Sequence, residues 1–255
     1  MSDPRTDLSE DLAFALPGGG HVLFTSRADG NMSSVGGVDH AQGEQACERL
    51  RTRLGLRALA RGYQIHGTTV VSIRDETALP DPDPDPRPGP GPGPDSSPTS
   101  GRPSIQADGQ ATSLAGVGAM ALAADCLPVA LGCEGAVGMI HAGWRGLAAG
   151  VLEEGVRAVR ELGGEGEIAA VIGPGAGPCC YEVGPEVHAA FDPVGAHPAG
   201  RGTIDLKAIA TARLLTAGVD RVDDVELCTI CDERFFSHRR EGADAGRQAG
   251  VAWLA

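Results

Sequence analysis

Aromatic side chains are scarce in this 255-residue chain, where tryptophan, tyrosine and phenylalanine together make up 4%. With 38 glycines present, many turns and contacts between small residues are expected. Positive charge is also short. Lysine and arginine number 21 against 34 acidic residues, a formal net charge of -13. Phosphate-rich partners would be repelled, which excludes a general affinity for nucleic acid or an anionic membrane. A small anionic substrate is still allowed, because it needs only local positive charge. No apolar run approaches the ~18 residues of a spanning helix. The N-terminus, Met1-Ser2-Asp3-Pro4-Arg5-Thr6-Asp7, has no basic stretch followed by an apolar one, so no signal peptide is read there. Seven cysteines, an odd number without an export signal, favour reduced thiols or metal ligands over a disulfide framework. The reading is a cytoplasmic protein.

What is present centres on His141-Ala142-Gly143-Trp144-Arg145-Gly146. The apolar run Ala136 to Ile140 before it reads as a buried strand. Leu147, Val151, Val156 and Val159 after it read as one face of a helix. Such a strand-to-helix turn leaves backbone N–H groups pointing beyond the helix N-terminus. Other strands are expected at His21 to Thr25, Thr68 to Ile73, Val117 to Ala124, Val129 to Leu131, Ile168 to Ile172 and Val222 to Leu227. Helices are expected at about Gln42 to Leu54, Glu186 to Phe191 and Leu206 to Leu215. Without regular βαβ alternation, the class is α+β or an irregular α/β arrangement. Residues 1–11 read as a flexible N-terminus and 12–255 as the folded part. From Pro80 to Ser104 the chain is Asp-Pro and Gly-Pro repeats with Asp81, Asp83 and Asp85 as solvated charges, not core but either a linker between domains or a disordered surface loop inside one, the loop being favoured because candidate metal ligands lie on both sides.

His66, Cys126 and His141 lie beside or at the ends of strands. Two imidazoles and a thiolate suit zinc or copper, and three protein ligands leave a position open for water or substrate. Taken singly, each has a bland reading: the histidines as turn caps, the cysteine as a small core residue. Arg145, and more weakly Arg27, are candidate holders of an anionic oxygen, against the alternative of surface ion pairs. The run Gly173 to Gly177 fails the dinucleotide-loop pattern, and a close-packed turn lining a pocket is the better account. Cys228-Thr229-Ile230-Cys231 has no second C-x-x-C, so buried or edge cysteines are favoured over a redox pair or half a zinc site. Phe235 and Phe236 read as core.

Gln64-Ile65-His66-Gly67, Ala124-Asp125-Cys126-Leu127-Pro128-Val129 and the hexapeptide His141 to Gly146 together resemble the YfiH/LACC1 family. That family has been called both a multicopper polyphenol oxidoreductase (laccase) domain and a purine nucleoside phosphorylase. Phe24-Thr25-Ser26-Arg27, Ile172-Gly173-Pro174, Cys180-Tyr181-Glu182-Val183-Gly184, Cys228-Thr229 and Phe236-Ser237-His238-Arg239-Arg240 match its other motifs in order. The resemblance implies one compact α+β domain with a mixed sheet and flanking helices. It also implies a metal, usually zinc, at His66, Cys126 and His141, and makes the proline stretch an intradomain loop. The sequence departs from the family after Arg27, across Asn31 to Gln42 and in the proline loop, all of which bear on the pocket rim.

The implied reaction is phosphorolysis of adenosine, inosine and methylthioadenosine to the base and a sugar 1-phosphate, with adenosine deamination beside it. Arg27 and Arg145 would then be the phosphate binders, and the partners a nucleoside and phosphate. A homodimer is allowed by the sequence but not specified by it. Three competing readings stand beside this one. A copper-dependent polyphenol oxidase is disfavoured because ordinary multicopper enzymes need many more histidines than these seven in all. The others are an amidase acting on cell-wall precursors with Cys126 as nucleophile, and a nucleoside-binding regulator without turnover.

Overall fold

Short, small-residue strands pair into two sheets that share one interior. The computed structural model describes residues 12–33, 40–76, 79, 105–163, 166–191 and 202–255. The expected loose segment 1–11 and the Pro/Gly loop 80–104 with its aspartates lie outside the described residues. In chain order the elements are β1 (Leu12–Leu16), β2 (Gly20–Phe24), α1 (His40–Arg53), β3 (Ala58–Ala60), β4 (Val70–Ile73), β5 (Gly109–Thr112), β6 (Val117–Ala123), β7 (Leu127–Cys133) and β8 (Ala136–Ala142). They continue with α2 (Trp144–Ala149), α3 (Val151–Leu162), β9 (Ala169–Ile172), α4 (Pro185–Phe191), α5 (Leu206–Thr216), β10 (Arg221–Asp224), α6 (His238–Glu241) and β11 (Gln248–Leu254). One sheet runs β1-β2-β11-β6-β3 and the other β10-β9-β7-β8-β5-β4. Both are mixed, with parallel pairs β3–β6, β4–β5 and β9–β10 among antiparallel ones, so the class is α+β. β4 and β5, which are separated in the chain by residues 74–108, are hydrogen-bonded neighbours in one sheet.

Period-two alternation decides what faces what. On β6, Ala119 and Ala121 join Val22, Phe24, Ala130, Val137, Met139 and Val171 between the sheets. Met120 and Leu122 face the other way and pack with Ala46 and Leu50 of α1. On the six-stranded sheet, Val129, Leu131, Ile140 and Ile172 turn outward against Val151, Val156 and Val159 of α3 and Ile209 and Leu214 of α5. The order is helix, sheet, sheet, helix. Alanine and glycine between the sheets let them approach closely; a Cβ on Gly250 would stand 2.8 Å from the Met139 sulfur. Among the described residues no helix is long and apolar enough to cross a membrane.

Three expectations need correction. The single helical face from Leu147 to Val159 is two helices, because Gly150 has φ 102 and caps the end of α2. The expected strand Val222 to Leu227 ends at Asp224, and Glu226 has φ 57. The C-terminal β11, unread in the sequence, lies at the centre of the five-stranded sheet. The break at Gly150 gives a direct test. A Cβ there would meet nothing nearer than 3.6 Å, so substitution costs mainly conformation. Gly150→Ala is expected to lower stability by about 1–2 kcal/mol, as a left-handed residue with a side chain does. A urea unfolding midpoint equal to wild type would contradict this account of the break.

Candidate metal centre

His66, Cys126 and His141, separated by up to 75 positions in the chain, come together: their ligand atoms all lie within 4.8 Å of one another. Each arrives from a different element. His141 is the penultimate residue of β8, Cys126 immediately precedes β7, and His66 lies in the loop before β4. The pairing of Pro128 with His141 in the β7–β8 ladder places Cys126 close to the histidine. His66 is held in a conformation unusual for a non-glycine residue, φ 62.

That conformation is stabilised by Asp108, a buried residue immediately before β5. The amides of Ile65, His66 and Gly67 donate to its carboxylate at 3.1, 2.8 and 2.7 Å. The same carboxylate receives His141 Nδ1 at 2.8 Å. One aspartate therefore sets the loop of the first histidine and the ring of the second. With Nδ1 committed, His141 offers Nε2 to a ligand, the carboxylate–histidine–metal arrangement. The two imidazole rings meet edge to face at 4.9 Å, and His66 Nε2 lies 3.8 Å from the Cys126 sulfur. Gly143 has to be glycine. A Cβ there would stand 2.6 Å from His66 Cδ2 and 3.1 Å from the Cys126 sulfur. At Gly146 a Cβ would meet the Gly67 carbonyl at 2.7 Å, so both hexapeptide glycines serve close backbone approach.

Cys126 is positioned from behind by Asp125, whose φ is 87. The Asp125 carboxylate accepts from the Thr229 hydroxyl and the Arg239 amide, both at 2.7 Å, and its carbonyl accepts from the Ala176 amide at 2.8 Å. The other wall is Gln64, whose side-chain amide makes both bonds of a strand rung with Leu122, each at 2.8 Å. A cavity of about 380 Å³ opens beside the three ligands, lined also by Arg61, Tyr63, Gln64, His238 and Arg247.

Burial disfavours ionisation of the Cys126 thiol, but the positive charge and hydrogen bond of His141, helped by His66, outweigh it and bring the thiol down to about 6. For His141 burial likewise disfavours charge, but Cys126 and then Asp108 raise it to about 9. Burial pushes the Asp108 carboxyl up, and the bond to His141 with those from Gly67 and Ile65 more than reverses that. Two imidazoles and an easily ionised thiol, oriented by a buried carboxylate and open on one side to a cavity, fit a divalent metal with a free coordination position.

The structure does not bring Arg27 and Arg145 to this cavity. The Arg27 guanidinium bonds Glu241 at 2.5 Å and the Phe235 carbonyl at 3.1 Å, and lies over the Phe236 ring. Arg145 is exposed, 4.3 Å above the ring of Trp144, which itself packs against the core. The cations on the cavity wall are Arg61 and Arg247. Sequence reading missed both, because nothing in Ala60-Arg61-Gly62 or Gly246-Arg247-Gln248 distinguishes them from other arginines. It missed Asp108 too, whose only local signal was a turn-like Ala-Asp-Gly. The turn Gly173 to Gly177 is close-packed as read, but it lines no part of this cavity and presses instead on Phe24, Leu127 and Cys228. Phe235 and Phe236 are core, as expected. Cys228 and Cys231 are not isolated: Cys179 and Cys180, adjacent in the chain and so not spaced as a C-x-x-C, join them in a second cluster.

Two outcomes test the centre. In metal-free protein the Cys126 thiolate is lost as pH falls through about 6 and the His141 cation as it rises through about 9, so both partners are charged only between these values. Alkylation of Cys126, followed by peptide mass spectrometry, should reach half its maximal rate near pH 6. A midpoint in the ordinary thiol range would show that the histidines do not act on it. Asp108→Asn should weaken metal affinity about 10–100-fold, the usual effect of losing a ligand's carboxylate partner. Undiminished affinity in a competition titration would remove Asp108 from the site.

A family model described as multi-copper polyphenol oxidoreductase laccase matches residues 20–255. A Xylella fastidiosa protein named purine nucleoside phosphorylase is 38% identical over 239 residues, covering 88% of this chain and 84% of that one. An Escherichia coli protein named purine nucleoside phosphorylase YfiH is 38% identical over 162 residues, 59% of this chain and 65% of its own length. A crystal structure of a Neisseria meningitidis protein superposes with a TM-score of 0.76 at 29% identity, covering 96% of this chain and 98% of that one. Fold, motifs and extent of match agree: the chain belongs to the multi-copper polyphenol oxidoreductase laccase family, the family of YfiH and LACC1.

Proposed function

We propose that the chain is a zinc-dependent purine nucleoside phosphorylase that also deaminates adenosine. The observation that carries this reading is the open face of the His66–Cys126–His141 centre toward a cavity with two arginines on its wall. The volume, about 380 Å³, lies in the range of small-molecule sites. Names of relatives point the same way. The substrates are adenosine, inosine and methylthioadenosine with inorganic phosphate, the products a free base and a sugar 1-phosphate, and the compartment is the cytoplasm.

When bound, zinc supplies Lewis acidity and a lowered pKa for coordinated water, which suits attack on the purine ring. The rest falls to the chain. Asp108 holds the proton on His141 Nδ1 and keeps Nε2 free for the metal. Arg61 and Arg247, in place of the Arg27 and Arg145 read from the sequence, bind phosphate and bring it to the anomeric carbon, a positioning and charge-stabilising task. Arg247 is held by the carbonyls of Ala245 and Gly246 at 2.5 and 2.9 Å, and burial lowers its pKa. Such fixing keeps the guanidinium in place before phosphate arrives.

The donor set of two histidines and a cysteine also suits copper, which keeps a phenol oxidase as the second reading. Incubation of metal-analysed protein with adenosine, with and without phosphate, and chromatography of the products separates them. Adenine formed only with phosphate, inosine formed without it, and zinc in the protein are expected. Copper with phenol turnover and no base release would overturn the proposal. Cys126→Ser is expected to lose zinc and activity together; lost activity with full zinc would favour the amidase. Arg61→Ala and Arg247→Ala should each raise the KM for phosphate about tenfold or more, since a charged hydrogen bond contributes about 1.5–3 kcal/mol. An unchanged KM in both would move the phosphate site elsewhere.

A further inference from the structure

The second cysteine cluster belongs to no part of the cavity. Cys179 and Cys180 lie in the turn that follows Gly173 to Gly177, and Cys228 and Cys231 in the turn that follows β10. All four sulfurs lie within 4.8 Å of one another, with Cys180 and Cys231 at 2.7 Å and Cys179 and Cys231 at 3.4 Å. The two turns are tied by backbone as well. Gly175 bridges Cys228, the Gly175 amide donates to the Leu227 carbonyl at 3.3 Å, and the Thr229 amide donates to the Gly175 carbonyl at 3.0 Å. Two pairs of thiols from two loops therefore converge on one point.

We propose that Cys179, Cys180, Cys228 and Cys231 form a second metal site, a closed structural site for one zinc ion held by four thiolates. The geometry suits the ion. Zn–S bonds of about 2.3 Å in a tetrahedron place sulfurs about 3.8 Å apart, within the span of this cluster. The surrounding backbone suits thiolate ligands too. The Gly177 amide donates to the Cys228 sulfur at 3.2 Å, and the amides of Ile230 and Cys231 also act on it. Such N–H groups orient metal-bound sulfur. Gly177 leaves the space: a Cβ there would stand 3.3 Å from both the Cys179 and the Cys228 sulfur.

A redox pair is a poorer account of the same atoms. It would use two sulfurs and leave two unexplained. The C-x-x-C segment also lies in a turn with no helix starting at it, so the helix N-terminus that activates redox cysteines is missing. The site has a structural consequence. Thr229, between the two ligands of one loop, donates its hydroxyl to Asp125 at 2.7 Å, and Asp125 precedes Cys126. A zinc at the cluster thus fixes the support behind the first centre. This inference stands whether or not that centre catalyses phosphorolysis.

The test is metal content by elemental mass spectrometry on full-length protein purified with reductant in zinc-supplemented medium. Wild type should carry about two zinc ions per chain, and a His66→Ala/Cys126→Ala variant about one. In that variant the X-ray absorption spectrum should show sulfur neighbours alone, at about 2.3 Å. Cys228→Ser/Cys231→Ser should halve the wild-type zinc content. No zinc in the first variant, nitrogen or oxygen neighbours in its spectrum, or full content in the second would each overturn the proposal. If the serine variant does not fold, wild type serves. The four cysteines should resist alkylation with zinc bound and react together after chelation. Equal reaction in both states, or a disulfide among them in protein purified without reductant, would refute the site.

Discussion

The Asp108 carboxylate is the constraint on which the site depends. It is buried, and it stays charged because three consecutive amides and an imidazole surround it. A buried anion without such partners would be costly, so the loop that supplies the amides cannot relax without exposing an unsatisfied charge. That cost stabilises the unusual backbone of His66 and fixes the ring of His141 at the same time. The thiol of Cys126 then meets two imidazoles whose positions are already set. Much of the geometry of the candidate centre follows from one side chain that is not itself among the ligands.

The fold supports this arrangement by bringing strand ends together. Cys126 and His141 lie at the same end of a single antiparallel ladder, β7 with β8, so their proximity follows from register. His66 comes from outside that ladder, through β4, which pairs with β5 beside β8. Alanine and glycine between the sheets permit close packing around the one buried ring there, Phe24. Asp125 joins this frame to the cysteine-bearing turns through Thr229. The two candidate metal sites are therefore mechanically connected although neither shares a ligand with the other.

The arginines on the cavity wall are not those of the recognisable motifs. A small anionic ligand needs local cations in an acidic chain, and the cavity wall carries Arg61 and Arg247. The arginines of the recognisable motifs do other work. Arg27, just after β2, holds α6 through Glu241 and the segment before α6 through backbone carbonyls, and Arg145 stacks on Trp144. A motif marks residues that belong together, but whether a long side chain reaches inward or along the surface depends on neighbours distant in sequence.

The sequence by itself determined the strands with clear apolar runs, the helices with regular spacing, the α+β class and the three side chains that meet at the first candidate centre. These were legible because alternation and helical period are local, and because His66, Cys126 and His141 sit in distinctive motifs. Only the tertiary structure decided the rest. β11 takes the middle of its sheet because β2 and β6 flank it, which no property of Gln248 to Leu254 announces. Asp108 became the anchor of the site because β5 places it beneath the His66 loop. Cys179 and Cys180 met Cys228 and Cys231 because β9 and β10 run parallel and deliver the turns that follow them to the same end of the sheet. In each case the deciding contact joins residues far apart in the chain, and closing such loops leaves no periodic trace in the sequence.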